Sequence, residues 1–229
     1  SPSKAGRLTI EDLDFLYDII DEVKGALENP QSSLIGVDAG ELAGIGRNNI
    51  ALVAFLQEIV GDFDILIDFS IPSVTAANAA FCAAHGKKMV IGTTGLDQAQ
   101  LQSVMQASHS NAVCMASNYA TGVNLCFKLA ELAASVLGDE VDIEISEAHH
   151  RHKIDAPSGT AIEIMKFLEE LPGDKIQMPI TVNSHRIGRA FGTHRVEFYN
   201  SRETISFQHI AHSRDIFAYG AIAAAQWII

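Results

Sequence analysis

Phe63-Asp64-Ile65-Leu66-Ile67-Asp68-Phe69 is short, bounded and largely apolar, the pattern of a parallel strand buried on both faces. Pro72 then opens an Ala-rich helical stretch that ends near His85, with Gly86 placed as its C-terminal stop. Met89-Val90-Ile91 predicts a second strand, Asp97 to Ser108 a second helix, Val113-Cys114-Met115 a third strand and Gly122 to Leu137 a third helix. Strand and helix alternate at this spacing when a sheet is parallel and its crossovers are helical. Residues 60–137 therefore read as part of a doubly wound α/β layer.

On the amino-terminal side, Ile10, Leu13, Leu16, Tyr17, Ile20 and Val23 recur at three- and four-residue intervals, predicting an amphipathic helix over 9–24 with acidic residues in its first turn. The Gly-rich polar stretch from Asn29 to Asn49 reads as a long surface loop. After Gly138 the rhythm changes: Val141 to Glu147 alternates with period two, as do Arg195 to Phe198 and Thr204 to Ile210, with a turn at Asn200-Ser201. These strands predict an open, mostly antiparallel sheet in a second α+β domain. These strands, with one face apolar, are expected to pair across subunits, because so small a sheet is not expected to bury both faces alone. Phe217 to Ile229 is helix-like and nearly all apolar. The chain thus divides into a Rossmann-like, doubly wound domain over 1–120 with 214–229, and a substrate-binding and oligomerisation domain over 121–213.

Of 229 residues, 48% are hydrophobic and 19% charged, enough apolar surface for a full core. The net charge of −12 argues against nucleic-acid or anionic-membrane partners, which need a basic face. Residues 1–70 carry −9 of that charge, and seven of the nine histidines fall between His149 and His212. Positive and titratable groups are thereby concentrated in the second half, where an acidic small molecule could bind. Cys82, Cys114 and Cys126 sit in apolar stretches without CxxC spacing, and read as buried, reduced thiols of a cytoplasmic protein. No apolar run reaches the roughly 18–20 residues that cross a bilayer, and residues 1–7 lack the hydrophobic segment of a signal peptide.

His149-His150-Arg151-His152-Lys153 follows directly on a strand, and Ile154 to Ala161 leads into an apolar-periodic helix. Five cationic or titratable side chains in a row are costly to bury together without an anion nearby. Ser158 suits an N-cap, which would leave Gly159 and Thr160 to present backbone N–H groups to a carboxylate or phosphate. The segment describes an anion pocket with proton donors. His149 and His152 stand three apart, but no carboxylate or thiol at ligand spacing completes a metal site.

His149 to Thr160 resembles the signature of the 4-hydroxy-tetrahydrodipicolinate reductase family, NAD(P)H-dependent enzymes of the diaminopimelate route to lysine. The likeness extends to Ser32–Gly36, Asp38–Gly44, Asp68-Phe69, Gly92-Thr93-Thr94-Gly95, Asn118-Tyr119, Gly122-Val123-Asn124, Phe217–Ala221 and Trp227, and covers about residues 26–229. The resemblance implies that His149 is the acid at the reacting centre and Lys153 a second proton donor, with His150, Gly159, Thr160 and Arg214 holding a dicarboxylate substrate. It assigns Gly92, Thr93, Thr94, Ala116, Ser117, Asn118 and Tyr119 to the nicotinamide side and Glu28 to the adenosine ribose. It implies NADH or NADPH as cofactor, and Asn29, where the family often has Arg for a 2′-phosphate, leans toward NADH. A homotetramer is implied as well.

The family opens with a hydrophobic strand and a Gly-rich turn that cradles the pyrophosphate, whereas only Gly6-Arg7 resembles that turn here, as in a truncated counterpart. A second reading follows from this departure, a catalytically impaired dicarboxylate-binding or oligomerisation module of the same fold. A histidine-ligated metallohydrolase is a third.

Overall fold

The computed structural model describes residues 23–170 and 180–228. The predicted helix over 9–24, save its last two residues, and the Gly6-Arg7 turn lie outside the described residues. The chain clusters into two compact units, one formed by Ser117–Ile216 and the other by the described residues up to Ala116 together with those from Phe217 on.

In the unit that ends at Ala116, β1 (Ala26–Leu27) pairs in parallel with β2 (Leu52–Val53). A second parallel sheet runs in the order β3 (Ile65–Asp68), β4 (Lys88–Ile91), β5 (Val113–Met115). After a short helix α1 (Ala39–Ala43), the crossovers are helices α2 (Pro72–Ala84) and α3 (Gln98–Ser108). Pro72 is tolerated in the first turn, where its missing N–H has no partner to lose. Asp97 caps α3 in a reciprocal box with Gln100. Gly86 stops α2 in the left-handed region, at φ 63°. Met89 and Ile91 are fully buried against Ala79, Cys82, Val104 and Ala107, which anchors both helices on the sheet.

The stretch 29–49 is not simply a surface loop. Asp38 caps a five-residue helix, α1 (Ala39–Ala43), and its Oδ1 accepts from the N–H of Glu41 (3.0 Å) and Asn48 (3.1 Å). Ala39 and Ala43 are buried. A helix of five residues spans little more than one turn and leaves no periodic signal in the sequence.

The other unit is built on a four-stranded sheet in the order β7 (Thr181–Arg186), β6 (Asp142–His149), β8 (Thr193–Tyr199), β9 (Thr204–Ile210). Only the β6–β7 pair is parallel. The polar edge strand β7 has no apolar alternation and was not among the predicted strands. Helices α4 (Thr121–Leu137) and α5 (Gly159–Glu169) cover one face, enclosing Ala130, Ala134, Ile143, Ile145, Ile164, Leu168, Val196 and Phe198.

Helix α4 falls in both the parallel layer read over 60–137 and the second domain read over 121–213; its small buried face of Ala130 and Ala134 packs on this second sheet, so only the second of these placements holds. The apolar face of this sheet is covered within the chain by α4 and α5. The opposite face is polar, with Glu144 accepting from Tyr199 (2.7 Å) and Asn183 (2.9 Å).

Helix α6 (Asp215–Trp227) starts two residues before the apolar stretch, and buries Ala218, Ala221, Ile222 and Ala225. Cys82 is buried as expected, whereas Cys114 and Cys126 are only partly buried, and among the described residues none of the three forms a disulfide. Among the described residues no helix is long and apolar enough to cross a membrane.

Candidate active site

The alternation of β6 turns Ile143, Ile145, Glu147 and His149 toward the helices, so the covered face changes from apolar to polar at the strand's carboxyl end. Register completes the polar row. Ser184 and Arg186 of β7 stand opposite Glu147 and His149, His194 of β8 stands opposite Glu147, and His209 of β9 opposite His194.

Glu147, at 1% exposure, is the hub of this row. One carboxylate oxygen meets His149 Nδ1 and accepts from Arg186 Nη1 at 3.0 Å. The other lies 2.9 Å from Arg186 Nη2 and accepts from the Ser158 N–H at 3.2 Å. Burial opposes its ionisation, but bonds from His149, Ser184 and Arg186 outweigh burial and hold the carboxyl below the usual carboxylate range. Burial pulls His149 below the usual imidazole range; Glu147 opposes that pull, and Lys153 and Arg186 add to it. The His149 ring meets that of His194 edge-on, with centroids 5.1 Å apart. Burial, then the neighbouring His149, lowers His194 to about 3.

Ser158 caps α5 as expected, its Oγ accepting from the Ala161 N–H at 3.2 Å. The N–H groups next to the cap are less open than expected. Asp155 accepts from the Gly159 N–H and pairs with Lys153 at 2.8 Å. Burial opposes ionisation of Asp155, but Lys153 and the Gly159 N–H hold its carboxyl below the usual range. Thr160 is buried and its hydroxyl accepts from Asn118 Nδ2 at 3.1 Å. Ser117, assigned with Asn118 to the nicotinamide, donates to Glu163 of α5. Tyr119 is buried. Burial, then Lys153, His152 and Arg214, lower His150, so those side chains lie within electrostatic reach of it. His152 itself is exposed.

The remaining assigned residues belong to the unit of parallel strands and follow their carboxyl ends, where ligands gather in such sheets. Glu28 follows β1, and one oxygen of its carboxylate accepts from the Asn29 N–H at 2.6 Å. Gly92, Thr93 and Thr94 follow β4, and Ala116 follows β5 with its N–H on Ile91 O at 3.1 Å. A Cβ at Gly92 would stand 2.0 Å from the Phe69 ring, so only glycine lets these chains approach. Thr94 is exposed. Thr93 is buried, and its hydroxyl accepts from Thr75 at 2.8 Å and donates to Asp68 Oδ1 at 3.4 Å, so that side chain braces the strand ends. Among the described residues of this unit, the carboxylate of Glu28 and the close glycine turn at Gly92 are groups of the kinds that suit the ribose and nicotinamide ends of a dinucleotide.

The family model described as dihydrodipicolinate reductase, N-terminus, matches residues 20–119, and that described as dihydrodipicolinate reductase, C-terminus, matches residues 122–229. The chain belongs to the dihydrodipicolinate reductase family. A 4-hydroxy-tetrahydrodipicolinate reductase of Saccharophagus degradans strain 2-40 is 43% identical, over 98% of this chain and 90% of that one. The dipicolinate-bound dihydrodipicolinate reductase of Paenisporosarcina sp. TG-14 has the same fold, with a TM-score of 0.76 at 22% identity over 98% of this chain and 92% of that chain. GenD2 from gentamicin A biosynthesis, solved in complex with NAD, follows with a TM-score of 0.62 at 10% identity, over 96% and 81%. Sequence reasoning missed Glu147, Asp155, Arg186 and His194. Period two was enough to place Glu147 on the same face as His149; the other three are joined to the row only by folding.

Proposed function

We propose that this chain reduces 4-hydroxy-tetrahydrodipicolinate to tetrahydrodipicolinate with NADH or NADPH, in lysine and diaminopimelate biosynthesis. The observation that carries this reading is His149 at the end of β6, beside the capped start of α5 and within reach of the Lys153 charge. Loss of the 4-hydroxyl as water leaves a conjugated C=C–C=N ring, and the reduced nicotinamide would supply, when bound, a hydride whose arrival leaves negative charge on that ring. His149 neutralises that charge by giving up a proton, and Lys153 is a second donor. The N–H groups of Gly159 and Thr160, with His150 and Arg214, grip the substrate carboxylates, one of which takes the place of Asp155. Glu28 receives the adenosine ribose hydroxyls. Gly92, Thr94, Ala116 and the segment Ser117–Tyr119 serve the nicotinamide side, Thr93 through its backbone. Asn29 favours NADH over NADPH. A cytoplasmic homotetramer joined through the polar sheet face completes the proposal, and sedimentation equilibrium checks the assembly.

Turnover of NADH or NADPH with the dihydrodipicolinate-type substrate tests the activity. His149→Ala and Lys153→Ala are each expected to slow it by about 100-fold or more with unchanged circular dichroism. Wild-type rates would remove their roles. Calorimetry with pyridine-2,6-dicarboxylate and with NADH separates the enzyme from a module that binds dicarboxylate alone.

A further inference from the structure

We propose that Glu147 is the positioning residue of His149, holding the imidazole with its proton on Nδ1 so that Nε2 is the nitrogen that serves the substrate; this rests on the reading of His149 as the acid. Glu147 is fully enclosed, and its two oxygens are shared among the Arg186 guanidinium, the Ser158 N–H and His149 Nδ1. An ionised carboxylate only accepts hydrogen bonds, so the nitrogen facing it must carry the hydrogen. The bidentate Arg186 fork keeps that carboxylate ionised and fixes its plane. The Ser158 contact ties the plane to the first turn of α5, where the proposed carboxylate site lies. One buried side chain therefore sets the acid and the anion site in a single frame.

The other ring nitrogen is kept clear by the chain itself. A Cβ built on Gly192 would stand 3.2 Å from His149 Nε2, so a glycine there leaves the approach to that atom open. The charged and titratable groups facing the imidazole are Glu147 on its own strand, Arg186 from β7, His194 from β8 and Lys153 from the following loop. Among these neighbours Glu147 is the anion, and it stabilises the imidazolium. When Nε2 releases its proton to the substrate, the ring becomes neutral and keeps its Nδ1 hydrogen on Glu147, so no second proton moves within the pair.

The test uses the full chain labelled with ¹⁵N-histidine, with His149 assigned by comparison with His149→Gln. Long-range ¹H–¹⁵N spectra are expected to show the neutral wild-type ring as the Nδ1–H tautomer, and Glu147→Gln to lose that preference. In steady-state assays Glu147→Gln is expected to lower kcat at pH 8 by about 10- to 100-fold. The limb on which kcat falls with rising pH should move about one pH unit or more lower, with the nucleotide KM unchanged, and Glu147→Asp should recover part of both effects. An Nε2–H tautomer in the wild-type protein overturns the proposal, even if the variants do not fold. A tautomer change with an unmoved pH profile overturns it too. Wild-type turnover by His149→Ala would instead overturn the acid assignment beneath it.

Discussion

Lowering the pH should destabilise this protein through His194 more than through an ordinary histidine. The side chain is 5% exposed, with Nε2 against Ser158 Oγ at 3.3 Å and a buried Nδ1 that has no hydrogen-bond partner among the described residues. Burial and His149 lower its pKa from 6.5 to about 3, against an upward pull from Glu147. An unfolded chain takes up this proton near pH 6.5, while the folded chain resists until about pH 3. A folded pKa below the unfolded one contributes stability that is complete above pH 6.5 and is lost as the pH falls toward 3. Each unit of separation corresponds to about 1.4 kcal/mol, so by pH 4.5 His194 alone should remove roughly 2–3 kcal/mol. That is a large part of the stability of a typical domain. The comparison is with His194→Gln, which offers Ser158 a polar atom but does not titrate. Urea unfolding followed by far-ultraviolet circular dichroism, at one protein concentration and several pH values, gives both curves. The loss between pH 7 and 4.5 should be smaller in the variant by that same roughly 2–3 kcal/mol. Parallel curves would refute the reasoning, because every other titrating group is common to both proteins.

Asp155→Ala should free Lys153 and the Gly159 N–H, so pyridine-2,6-dicarboxylate is expected to bind about 3- to 10-fold more tightly by calorimetry. Unchanged or weaker binding would show that Asp155 does not compete for those donors. Gly40→Ala would bring a Cβ to 2.3 Å from the Gly46 carbonyl, a backbone atom that cannot swing aside. A loss of about 1–3 kcal/mol in urea unfolding is expected, and a neutral change would mean that α1 is not held there.

Much of this fold was legible along the chain because its signals are local. The strands at 65–68, 88–91 and 113–115 lie in apolar runs bounded by Pro72, Gly86 and the Asp97 cap, which act within a turn of their own position. The edge strand 181–186 was not legible, since only pairing with β6 makes its polar residues a strand. Helix α4 was legible as a helix, but its alternation with the strands before it placed it in the parallel layer over 60–137 as well as in the second domain over 121–213. Its pattern states that one face must be covered, and nothing in it names the surface that does so.

The amino-acid sequence by itself determined the alternation of strands and helices, the family, and the concentration of imidazoles and a lysine before a capped helix, because each depends on neighbours within a few residues. Tertiary structure alone decided which charges those groups meet. Glu147, Arg186 and His194 are spread over nearly fifty residues and come together through strand register, and Asp155 folds back onto the donors that an anion would seek. Electrostatic energy depends on distance in space, and a buried carboxylate changes the protonation of a histidine only once folding has brought the two into contact and removed the water between them.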